Sequence, residues 1–124
     1  MRLPDEVNER LDLLRNSGQI AQETYECVRD QILELLKSNR LEAQSETIGS
    51  FTNHLAIAIE RMNQGEAIEE VSEQIDEVIN DYPELYSFAQ QLIDRCLWKE
   101  GAYQTRAEAG FITLYLALPQ GEKG

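Results

Sequence analysis

Apolar residues in this chain recur in steps of three and four, and that spacing commits nearly all of it to helices. Ala21, Tyr25, Val28, Ile32 and Leu35 fall on one face of a helical period, as do Ile48, Phe51, Leu55, Ile59 and Met62. Val7, Leu11 and Leu14 predict a shorter helix that stops at the NSG triplet, residues 16–18. Ile68, Val71, Ile75 and Val78 continue the pattern, and Leu85, Phe88, Leu92 and Cys96 predict a further helix. The breaks are chemically distinct. KSNR at 37–40 is a candidate interruption, and NQG at 63–65 puts a glycine where helices commonly end. NDYPE at 80–84 reads as a break and restart, with Asp81 able to cap and Pro83 suited to a first helical turn. KEGAYQ at 99–104 reads as loop. The last segment, EAGFITLYLAL (108–118), fits a helix with Phe111, Leu114, Tyr115 and Leu118 on one face, or a short buried strand. An isolated strand has no partner in a helical chain, so helix is the expectation.

A length of 124 residues argues for one domain and is enough to bury a core without metal or disulfide staples. The expected architecture is all-α, a single bundle of five or six short helices over residues 1–118. Residues 1–18 supply an extra N-terminal helix, and 119–124 a flexible tail. The formal net charge is −12, which repels phosphate backbones and anionic bilayers, so neither direct nucleic-acid binding nor membrane association is expected. The N-terminus lacks the apolar core of a signal peptide, and no apolar run is long enough to span a bilayer, so the expected location is cytoplasmic. Cys27 and Cys96 form no CxxC pair and lie on or beside apolar stripes, so both are expected to be reduced core side chains. No phosphate loop, nucleophile elbow or metal set is recognisable, so neither an enzyme nor a cofactor is expected.

One histidine stands out because it is the only one. His54, in FTNHLAIAIERM (51–62), lies roughly 100° off the apolar stripe of its helix, on the side shared by Ile57, Ala58 and Arg61. Arg61 follows seven residues later, close to two turns and about 10 Å along the axis. Neutral imidazole is a good nucleophile towards phosphorus, and a guanidinium complements the charge of a phosphoryl group. The pair is therefore competent for phosphohistidine chemistry. An imidazole bonded to a neighbour, beside a solvated arginine, accounts for the same spacing.

Three segments, FTNHLAIAIERM, IDEVINDYPELYSFA and EAGFITLYLAL, resemble in order and spacing the PTS regulation domain (PRD) family. These are helical regulatory modules of bacterial transcription antiterminators and activators governed by the sugar phosphotransferase system. The resemblance runs from about residue 20 to 118. It implies an antiparallel helical bundle that forms homodimers, with a helical last segment. It also implies that His54 is the phosphoacceptor, that HPr or a sugar-specific component of the phosphotransferase system is the phosphodonor, and that output passes through protein partners. Carried over by position, Arg61 supports the charge of the site and Glu108 is the acidic residue of the last motif. The chain departs from the family at Asn53, where aspartate usually precedes the histidine, and at Tyr115, where a second histidine usually stands. It also lacks the customary nucleic-acid reader, so a free-standing regulation domain is expected. The competing expectation is an acidic helical adaptor that kept the fold and lost the phosphoryl chemistry.

Overall fold

The computed structural model describes residues 2–118 and contains six α-helices: α1 (Asp5–Asn16), α2 (Gln22–Lys37), α3 (Ile48–Asn63), α4 (Glu73–Asp81), α5 (Pro83–Arg95) and α6 (Arg106–Ala117). Among the described residues there is no strand, so the all-α expectation holds and the last segment is a helix. The chain divides into two compact units, with the boundary inside α3 between Ile57 and Ala58. The tail expected at 119–124 lies outside the described residues.

In the first unit α1 packs on α2, burying Val7, Leu11 and Leu14 from one and Val28, Ile32 and Leu35 from the other. Each such side chain contributes about 1.5–3 kcal/mol by leaving water. α1 also crosses the start of α3 closely. Arg10 donates to the carbonyl of Gly49 at 3.4 Å, and a Cβ at Gly49 would overlap the Glu6 carboxylate. The KSNR interruption is real: α2 ends at Lys37, and Asn39 takes a left-handed φ of 63°.

In the second unit α4, α5 and α6 pack on one another. The core here includes Ile75, Ile79, Ala89, Leu92, Ile93, Ile112 and Leu116. α6 buries a face of small residues, including Ala107, Ala109 and Gly110, against this unit. That corrects the expected face. Phe111 and Leu118 are exposed and Tyr115 is half-buried, whereas Ile112 and Leu116 are buried with the small residues.

Three further expectations are corrected. α4 does not begin near Ile68: Ser72 caps it by accepting from the Ile75 amide at 3.2 Å, and residues 66–72 precede it without regular structure. Asp81 is the last residue of α4 rather than a cap, and Tyr82 joins the two helices, although Pro83 does occupy the first turn of α5. Cys96 is buried and Cys27 half-buried, yet neither is a free thiol, since spacing along the chain does not report the oxidation of a sulfur. No helix among the described residues is long and apolar enough to cross a membrane.

Candidate functional site

Glu108 is a carboxylate only 2% exposed, in the first turn of α6. Thr105 caps that helix, its hydroxyl accepting from the Glu108 amide at 3.2 Å. The T-x-x-E spacing is that of a capping box, in which the glutamate side chain turns back to the amide of the cap residue. Here Glu108 turns outward from its own helix instead. Its Oε1 accepts from Arg61 Nη2 and its Oε2 from Arg61 Nε, both at 2.8 Å. Oε2 also accepts from the main-chain N–H of Ile68 at 2.8 Å.

Arg61 lies in the last turn of α3, where a cation also complements the helix dipole. Its side chain is 30% exposed, so one end of the pair is buried and the other reaches solvent. The hydrogen bonds to Glu108 raise the pKa of Arg61 above its ordinary value, against the opposing effect of desolvation. The two parallel bonds use the Nε and Nη2 edge of the guanidinium. An anion approaching Arg61 would therefore have to engage the remaining N–H groups.

A second polar centre anchors the end of α3. The Asn63 side chain is 2% exposed. It donates to the carbonyls of Ile59 and Cys96 at 3.0 Å and accepts from the amides of Trp98 and Lys99 at 2.8 and 3.0 Å. All four bonds an amide side chain can readily make are formed. Tyr103, in the loop before α6, donates its amide to the Met62 carbonyl at 3.3 Å, so the last turn of α3 is held from two sides.

His54 is exposed on α3, and Asn53 beside it is half-buried. Thr52 is fully buried, with its hydroxyl bonded to the Ile48 carbonyl at 2.8 Å. Tyr115 stacks on Phe111 one turn away, ring centroids 5.8 Å apart. Of the five residues singled out in the sequence, His54 and Asn53 belong to the first unit, and Arg61, Glu108 and Tyr115 to the second. The structure joins Arg61 directly to Glu108. Ile68 and Thr105 were missed by sequence reasoning. The capping-box spelling pointed at Thr105, whereas Ile68 takes part through its backbone, which side-chain patterns do not report.

A family model described as "PRD domain" matches residues 29–118. Comparison with curated proteins gave no match, and neither did comparison with solved structures.

Proposed function

The chain belongs to the PRD-domain family, and from that membership we propose that it is a regulation domain phosphorylated on His54 by HPr or a sugar-specific phosphotransferase component. Membership implies a regulatory rather than catalytic role, tied to the phosphotransferase system and exercised through other proteins. The observation that carries the phosphoacceptor reading is the exposure of His54 on the helix that also bears Arg61. An acceptor must be reached by a second protein, and exposure provides that access. In the transfer, a lone pair of the neutral imidazole forms the new N–P bond. The bond from phosphorus to the donor side chain breaks with its electron pair returning to the donor, and the other ring nitrogen of His54 releases its proton to the donor or to water. Arg61 supplies positive charge at the end of the same helix, and Glu108 fixes the direction of its fork. Regulation of transcription or sugar metabolism then proceeds through protein contacts, including those of a homodimer.

The test is transfer of label from phosphoenolpyruvate through enzyme I and HPr, with a sugar-specific component as a second donor. Wild type is expected to acquire acid-labile label and His54→Ala to acquire none. Absence of His54-dependent label from either donor, with a known family member as positive control, rejects the proposal.

One observation favours the second reading, an adaptor that is not phosphorylated: the Arg61 fork is already neutralised by Glu108. That reading expects partner binding to be the same for wild type and His54→Ala.

A further inference from the structure

The connection between α3 and α4 is fastened almost entirely by polar bonds. Of its residues 66–72, Ala67 is buried and Val71 half-buried, while Ile68 is 45% exposed and both Glu69 and Glu70 are exposed. So little apolar burial cannot hold an extended segment against its conformational entropy. The fastening lies at Ile68. Its N–H donates to Glu108 Oε2, and its carbonyl accepts from the Thr105 hydroxyl. The Tyr103 hydroxyl adds an outer bond to Glu69 at 2.9 Å. Arg61 Nε and the Ile68 amide thus meet on a single carboxylate oxygen.

We propose that residues 66–72 form a releasable strap, latched by the Glu108 carboxylate, and that drawing Arg61 off Glu108 opens the strap while α4, α5 and α6 stay packed. A buried carboxylate deprived of its countercharge is unstable as it stands. It turns towards water, and that change weakens the bond to Ile68. Packing among the three helices rests on other contacts, such as those of Ile75 and Ile79 against Gly110. Arg61 is a positioning residue in this device. A phosphoryl dianion is one natural competitor for its guanidinium. That extension rests on the His54 reading above, whereas the latch does not.

The test is amide hydrogen exchange on the full chain, comparing wild type, Arg61→Gln and Arg61→Lys. In Arg61→Gln, peptides covering residues 66–72 should accelerate roughly tenfold or more beyond any acceleration of peptides within α5. Arg61→Lys retains the countercharge and should recover part of the strap's protection. Thr105→Val removes the second bond to Ile68 and should loosen the same peptides with Arg61 in place. Three results would overturn the proposal: an unchanged strap in Arg61→Gln, equal acceleration in α5, or a lysine variant as open as glutamine. Exchange on the phosphorylated protein addresses the extension alone. If unlabelled Arg61→Gln opens the strap and phosphorylation does not, the latch stands and its coupling to His54 is rejected.

Discussion

Gly110 on α6 sits where the Cγ2 of Ile75 on α4 would overlap any Cβ, and a Cβ would also lie only 3.0 Å from the Cδ1 of Ile79. The two helices approach as closely as a bare backbone permits. Gly110→Ala should therefore destabilise by about 1–3 kcal/mol through overpacking, despite the better helix propensity of alanine. Pairing it with Ile75→Ala should recover part of the loss. Urea unfolding of the two single variants and the double variant checks this, and additive losses would mean that the helices separate freely.

The Arg61–Glu108 pair should respond unequally to the loss of each partner. Arg61→Met leaves a carboxylate that is 2% exposed without its countercharge, at a cost of about 3–5 kcal/mol. Glu108→Gln leaves a guanidinium that is 30% exposed and can hydrate, so the cost should be smaller, about 1–3 kcal/mol. Chemical denaturation gives both values, and the reverse order would contradict the burial asymmetry.

Asn63→Ala removes four hydrogen bonds at a buried junction and should cost about 2–3 kcal/mol. Asn63→Asp keeps the bonds from Trp98 and Lys99 but turns oxygen towards the carbonyls of Ile59 and Cys96. It should be tolerated no better than alanine. Melting curves of the two variants decide the matter.

Tyr25 gives stability an alkaline dependence. Its pKa is raised by the hydrogen bond to Asp12, 2.8 Å away, and by burial, with Arg15 and Arg29 opposing. A raised folded-state pKa favours the protonated phenol. Its stabilisation is fully present below the unfolded value of 10.0 and is lost as pH rises through the folded value. Stability of wild type should therefore fall more steeply above that pH than stability of Tyr25→Phe. Tyrosinate absorbance, followed alongside denaturant titrations, measures both quantities.

His54→Ala should shift the unfolding free energy by no more than about 0.5 kcal/mol, since the side chain is exposed. A large loss would recast His54 as a structural residue and would compromise its use as a labelling control.

The helices were legible because core contact imposes a period on the side chains that face it. Phe51, Leu55, Ile59 and Met62 are all buried as the spacing required. Gly65, with a φ of 75°, ends α3 where the NQG triplet placed the stop. The reading failed where backbone rather than side chains decides the structure. Ile68 and Val71 continue a helical step pattern, but both main-chain groups of Ile68 are committed to the first turn of α6. On α6 the spacing of Phe111, Leu114, Tyr115 and Leu118 suggested one face, and the buried residues instead include Ala109, Gly110, Ile112, Thr113 and Leu116. The family motifs marked Arg61 and Glu108 separately. Their contact across 47 residues of sequence required the fold.

Thr105 and Glu108 are spelled as a local device and used as a long-range one. In an unassembled chain, the nearest donor for the glutamate side chain is the amide of its own cap residue, three positions back. Assembly withdraws the carboxylate from that neighbour and gives it to Arg61 and Ile68. The same four-residue phrase thus has a local meaning in its spelling and a long-range one in the fold. A peptide excised around α6 would revert to the first.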